Sequence, residues 1–405
     1  MRPEPETRPP ETAARSNLLL LSVRALVASL RGSILSVILQ PFVLALGAPV
    51  AYIGWLESIG GYRGLVPTLV LPAAGWLADR LGRKLMLVVA SLFAALSLLL
   101  ITVSSLERNA ALLTPALVLF GLSAIGRPAT DALVVESVRR EEVGYAYGKF
   151  SLAAAAASVI ASLAGGYAAD MFGFTSTWAG IAVLELLAVL VLVFGVQETL
   201  AARRRPHVPI REVPHLAVRL LVPPPALRWL YAAIVIDTFA YGIGGTLLYG
   251  FLADRYGFTP SQFGIMNAVY SIAWMVSQLP AGRLADRGLA RELLIAAEVL
   301  NGVVVAVWLV TSRFEVFAAT MALFGVVAAL WSPALVAWVN ERIVSERRAE
   351  EFGRLSGAPG VFAFPAPFLG GLLYQRFGFA VPIGLNLLGI VLASLILGWG
   401  LPRRR

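Results

Sequence analysis

The chain has 405 residues, 58% of them hydrophobic and only 14% charged, with a net charge of +9. Soluble domains carry about 25% charged residues, so this composition excludes a water-coated globular fold and points to lipid as the solvent. The absence of cysteine excludes disulfides, thiolate metal sites and cysteine nucleophiles.

Residues 1–17 are polar and rich in proline and glutamate, and read as a disordered cytoplasmic tail rather than a signal peptide. Six apolar segments follow, at 18–45, 55–78, 85–106, 111–137, 146–169 and 175–197. Each approaches the roughly 20 apolar residues that a membrane-crossing helix needs. A basic, proline-containing stretch at 198–227 reads as a cytoplasmic linker. Six more apolar segments run at 228–253, 263–284, 291–311, 314–339, 353–374 and 380–400, and 401–405 is a basic cytoplasmic tail. The fold class expected is an all-α integral membrane protein with 12 transmembrane helices in two six-helix bundles, 18–197 and 228–400. The basic residues concentrate in the tails, the linker and the even-numbered turns, which predicts both termini on the cytoplasmic side of the plasma membrane. That distribution reflects topology and argues against nucleic-acid binding.

The two halves repeat. Pro128 matches Pro333, Glu136 matches Glu341, and Gly165-Gly166 followed by Phe172-Gly173-Phe174 matches Gly370-Gly371 followed by Phe377-Gly378-Phe379, all at an offset of 205 residues. A shared offset over half a chain marks a duplication. A charged turn occurs once in each half. The first is Gly75-Trp-Leu-Ala-Asp79-Arg80-Leu-Gly82-Arg83-Lys84, and the second runs Gly282-Arg-Leu-Ala-Asp286-Arg287 and on to Arg291. Gly75 suits close helix approach, Gly82 a tight reversal, and Asp79 can accept from exposed N–H groups at another helix's N-terminus.

In sequence this turn resembles the signature of the major facilitator superfamily of secondary transporters. The resemblance covers essentially the whole chain and implies two pseudo-symmetric bundles around a central cavity. It also implies a conformational latch: Asp79 meeting the start of helix 11 near Gly353 to Ser356, Arg83 pairing with Glu136, and a second, looser copy from Asp286, Arg287 and Arg291 with Glu341. Leu289 stands where Gly82 would map. The drug:proton-antiporter branch carries a Gly-Pro step four residues before a Gly-Gly pair in helix 5. Here Ala161-Ser162 precedes Gly165-Gly166, and a proline appears instead in helix 11, as Pro367.

Ionisable groups at mid-membrane cost about 2.5–3.5 kcal/mol or more and need partners or water. In the resembled fold helices 1, 4, 7 and 10 line the cavity. Arg31 on helix 1 and Asp237 on helix 7 are expected to face one another across it. Arg127 and Asp131 lie one turn apart on helix 4. The functional reading makes Asp237 the proton site and Arg31 and Arg127 binders of an anionic group, with Trp331, Tyr231, Tyr241, Tyr270 and Trp274 as walls. The alternative is that Arg31–Asp237 and Arg127–Asp131 are permanent ion pairs that hold helix packing. Glu185 and Glu298 belong to peripheral helices and read as packing groups, and Arg63 with Glu57 as an outer gate pair or simple snorkelling.

No phosphate loop, H-E-x-x-H helix or G-x-S-x-G elbow is present. The expectation is therefore no enzyme, no metal and no cofactor, with a proton gradient as energy source and a small organic solute as cargo for a monomer. Proton-linked drug export, movement of an organic anion or other metabolite, and a non-transporting receptor remain as function classes.

Overall fold

The computed structural model describes residues 11–130, 143–196, 223–343, 355, 357 and 359–402. Asp131 and Glu136, most of the linker, and most of Gly353 to Ser356 lie outside the described residues, and the Asp79 side chain is likewise not described. Helix α1 (Glu11–Ala45) is followed by α2 (Val50–Gly60), α3 (Leu65–Leu81), α4 (Arg83–Leu106) and α5 (Leu113–Leu122). The long α6 (Val143–Gly195) closes the first half. The second half holds α7 (Arg228–Ile243), α8 (Leu248–Tyr256), α9 (Pro260–Leu284), α10 (Ala290–Val310), α11 (Phe314–Arg342), α12 (Ala366–Phe377) and α13 (Ala380–Gly400). The described residues contain no strand.

Eight described stretches are long and apolar enough to cross a membrane. Two of them, Ala155–Gly195 and Pro260–Val310, have 41 and 51 residues. At about 1.5 Å per residue each is twice a bilayer core, so each makes two crossings. The remaining two crossings are repeat mates that are both interrupted: α2 and α3 are separated at 61–64, and the helix through α12 bends at 364–365. Twelve crossings result.

The reversal within α6 falls on Gly173 (φ 80), and the junction of α12 and α13 falls on its repeat mate Gly378 (φ 76). Both occupy backbone space that side-chain-bearing residues avoid. Stripes such as Leu92, Leu96, Leu99 and Val103 on α4 remain exposed. Water penalises such a face, whereas lipid accepts it.

Packing separates the two ends of the molecule. One face carries the charged turns; the opposite, far face carries the loops after α1, α4 and α8. On the far side a single core contains Phe42 and Trp178 from the first half together with Phe251, Phe263 and Phe317 from the second. On the turn side the halves have separate cores, one around Ala74, Ala78 and Met86 and another around Leu230, Leu294 and Trp338. Among the described residues the bundles thus share a core on the far side and have separate cores on the turn side.

The Gly-Gly pairs build this joint. A methyl on Gly165 would strike Ile34 of its own bundle, and one on Gly370 would strike Ile243 of its own bundle. The second glycine of each pair faces the other bundle: Gly166 meets the Pro260 backbone and Gly371 the Val50–Ala51 backbone. The reciprocal contacts also repeat, because Gly264 abuts Ser162 and Gly54 abuts Pro367, the residues three before each pair. Small residues let backbones touch, and dispersion then holds helices together where lipid removes the hydrophobic drive.

Candidate functional site

A cavity of about 660 Å³ lies between the bundles, bounded on its far side by the joint. Its walls are unequal. The first half contributes Ser36 and Gln40 of α1, with Glu57, Tyr62 and Arg63 at the end of α2. The second half contributes most of the rest, from α7 through α12.

Local sequence explains the shape. Gly60-Gly61 and Gly64 bracket the α2–α3 break, where Tyr62 and Arg63 project. Arg63 Nη1 donates to Thr238 Oγ1 at 2.6 Å, beside Asp237 on α7. After Ile243 the chain leaves the helix through Gly244-Gly245-Thr246-Leu247 and resumes as α8. Gln40 of α1 braces that break: its Nε2 donates to the Thr246 carbonyl and its Oε1 accepts from the Gly250 N–H, both at 2.7 Å. Each bond joins the two bundles.

Four ionisable side chains of opposing sign line the cavity: Glu57, Asp237 and Glu298 against Arg63. Aromatic walls come from Tyr241, Tyr249, Tyr270, Trp308, Phe324 and Trp331. Tyr241 stacks on Phe324 at a 6.1 Å ring separation, and Tyr270 packs on the same ring at 5.6 Å.

Several expectations change. Arg31 does not face Asp237; its Nη1 contacts Glu185 Oε1 at 2.6 Å inside the first bundle, with the guanidinium 5.7 Å from the Phe120 ring. The rotation of α1 turns Arg31 toward α6, so the pair is structural but with a different acid. Arg127 is not a cavity wall; it is exposed and lies over the Tyr62 ring at 4.6 Å. Tyr231 is buried in the turn-side core, and Trp274 lies where α9 crosses α11 at Gly325. Conversely, Arg63 and Glu57 enter the cavity instead of guarding the outer end. Glu298 does so as well, because the cavity reaches past α7 to α10. Asp237, Tyr241, Tyr270 and Trp331 do line it.

The charged turns make contacts within their own bundles. Lys84 Nζ donates to the Val193 carbonyl at 2.8 Å, at the end of α6. Arg291 donates to the Gly398 and Leu401 carbonyls at 2.7 and 2.8 Å, at the end of α13. Both pairs are repeat-related, and both cap the last helix of their own bundle. Cations at these carbonyls satisfy groups that a helix end leaves open. Glu341 has a bond to its neighbour Arg342 at 3.2 Å. In the second turn Gly288 (φ 84) makes the reversal that Gly82 (φ 104) makes in the first, one position before Leu289. Asp286 and Arg287 are exposed there. Arg80 and Arg83 are half-buried, and Gly75 lies within α3. A carboxylate does accept from a helix start of the other bundle, but on the far face: Asp170 accepts from the Ser261 N–H at 2.9 Å and from its hydroxyl.

The Major Facilitator Superfamily profile matches residues 21–250 and 230–405. The chain belongs to the Major Facilitator Superfamily. It is therefore a multi-pass membrane transporter and not an enzyme. It is 26% identical over 364 residues to the multidrug resistance protein MdtG of Salmonella typhimurium, covering 87% of this chain and 86% of that protein. The MdtG of Citrobacter koseri matches at the same identity and coverage. Among solved structures, a variant of the nucleoside transporter NupG superposes with a TM-score of 0.77 at 12% identity, covering 95% of this chain and all of that one. The human organic anion transporter MFSD10 superposes with a TM-score of 0.67 at 17% identity, over 96% and 100% of the two chains. These structural likenesses establish the fold.

Proposed function

We propose that this protein is a proton-coupled secondary transporter that carries an amphipathic organic solute across the plasma membrane by alternating access, in the export direction. The observation that carries the reading is the cavity itself: three carboxylates face one arginine amid seven aromatic side chains. This balance disfavours an organic anion, for which Arg31 and Arg127 would have been needed in the cavity. It favours a solute with an apolar body and a positive or donor-rich end. The name of the MdtG relatives, multidrug resistance protein, supports export of such compounds.

Asp237 is the exchange point in this mechanism. Its Oδ1 is buried and accepts no hydrogen bond among the described residues, while Arg63 is held beside it on Thr238. A proton and a solute donor compete for that carboxylate. Whichever binds changes the charge that Arg63 faces, and so biases the two arrangements of the bundles. The fused far side and divided turn side correspond to the state open toward the turn face, which basic-residue topology places in the cytoplasm. Drug enters there and proton leaves there.

The test is uptake of ethidium into inside-out proteoliposomes with an imposed pH gradient. Wild type accumulates the dye when the lumen is acid. Asp237→Asn is expected to abolish gradient-driven accumulation while downhill exchange persists. Accumulation by the variant at the wild-type level would remove Asp237 from the mechanism, and no gradient dependence in wild type would defeat proton coupling.

A further inference from the structure

We infer that the cavity holds a second recognition point, a subsite on α10 for the N–H groups of an organic ammonium or guanidinium. Helix α10 sits at the edge of the bundle, yet Ala297, Glu298 and Asn301 reach the cavity from it. Glu298 and Asn301 are three residues apart, hence on one face. They are only 4% and 7% exposed. Glu298 Oε2 and Asn301 Oδ1 accept no hydrogen bond among the described residues, and neither does Asp237 Oδ1 on the same cavity wall.

Three orphan acceptors therefore border one space. While both acids are ionised they have only acceptor capacity, and an amide oxygen accepts, so in that state these groups cannot satisfy one another through Oε2, Oδ1 and Oδ1. Asp237 and Glu298 are electrostatic neighbours of like sign. Arg63 donates instead to Thr238. Buried acceptors are ordinarily filled, and the missing partner must bring several donors and positive charge. An ammonium with three N–H groups or a guanidinium meets that demand, whereas a quaternary ammonium has the charge without the donors.

The neighbouring wall suits the body of such a molecule. Trp308 and Phe324 pack edge-on at 6.2 Å, and Met321 and Trp331 complete an apolar surface on the same cavity. Ring faces also attract cations. Hard inorganic cations are poorly served, because about six oxygens are typical for them and these walls are aromatic. The subsite rests on the transport reading above only in sharing its cavity.

The experiment compares 4-phenylbutylammonium with its N,N,N-trimethyl analogue by calorimetric titration of full-length protein in nanodiscs. Wild type is expected to bind the ammonium about tenfold more tightly, roughly the effect of one charge-assisted hydrogen bond. Glu298→Gln and Asn301→Leu should each remove that preference by weakening the ammonium about tenfold, with the trimethyl compound changed less than about threefold. Should Glu298→Gln fail to fold, Asn301→Leu and the wild-type comparison still decide. Equal affinity of wild type for the two probes overturns the subsite, as does equal weakening of both by the variants. A sodium-specific gain in thermal stability that Glu298→Gln abolishes, without ammonium preference, assigns the oxygens to an inorganic cation and also overturns it. Ammonium preference without gradient-driven transport would defeat the transport reading alone.

Discussion

Gly166→Ala offers a direct test of how the far side closes. The added methyl would lie 2.9 Å from the Pro260 carbonyl carbon and 3.0 Å from the Ser261 Cα, with the Pro260 oxygen closer still. All three are backbone atoms at the start of α9, so no side-chain rotation relieves the clash. Overpacking of this kind costs about 1–3 kcal/mol, and it applies only while α6 and α9 touch. A differential of about 1–3 kcal/mol corresponds to a shift of about 5- to 150-fold between conformations, toward far-side-open. Gly165→Ala is the control, because its methyl would meet the Ile34 side chain within the same bundle. It should lower stability without moving the equilibrium. The chain lacks cysteine, so Ser36→Cys in the cavity gives a single label site. The rate of reaction with a membrane-impermeant maleimide added from the far side reads the open population. Unchanged labelling in folded Gly166→Ala, or an equal rise in Gly165→Ala, would refute the argument.

Gln40→Leu leaves the Thr246 carbonyl and the Gly250 N–H without the partner seen here, at about 1–3 kcal/mol for each group. Faster far-side labelling is expected, and wild-type labelling would show that the brace is idle. Glu185→Gln strips Arg31 of its carboxylate in a nearly sealed site (side chains 11% and 3% exposed). Breaking a buried pair costs about 3–5 kcal/mol, so the melting temperature in detergent should fall well below that of the double variant Arg31→Leu/Glu185→Leu; equal melting of the two would contradict a paired charge. Lys84→Met and Arg291→Met each remove a helix-end cap, worth about 0.5–2 kcal/mol. Hydrogen exchange should quicken at the ends of α6 and α13 with far-side labelling unaltered. A change in labelling would give them a cross-bundle latch role.

Duplication and membrane class were legible because they depend on composition and spacing. Gly165-Gly166 and Gly370-Gly371 could be matched by eye, and their offset held through the contacts they make. The cavity was less legible. Depth along a helix follows from residue count at about 1.5 Å per residue, so Asp237, Tyr241, Tyr270 and Trp331 could be placed at the right level. Direction around the helix axis does not follow. That uncertainty paired Arg31 with Asp237 when its neighbour is Glu185, and it assigned Tyr231 and Trp274 to walls they do not form.

The amino-acid order alone determined that the chain lives in lipid, that it is two copies of one six-helix unit, and that the first charged turn reverses at Gly82. Hydropathy and backbone preference are local properties, readable residue by residue. Tertiary structure alone decided which charges share a cavity. The breaks at 61–64 and 244–247 and the rotations of α1 and α10 bring Glu57, Arg63, Asp237 and Glu298 around one space while Arg31 is taken up by α6. Those rotations are set by contacts between residues far apart in the chain, as with Gly166 against Pro260 and Gly371 against Ala51, and no local pattern encodes them.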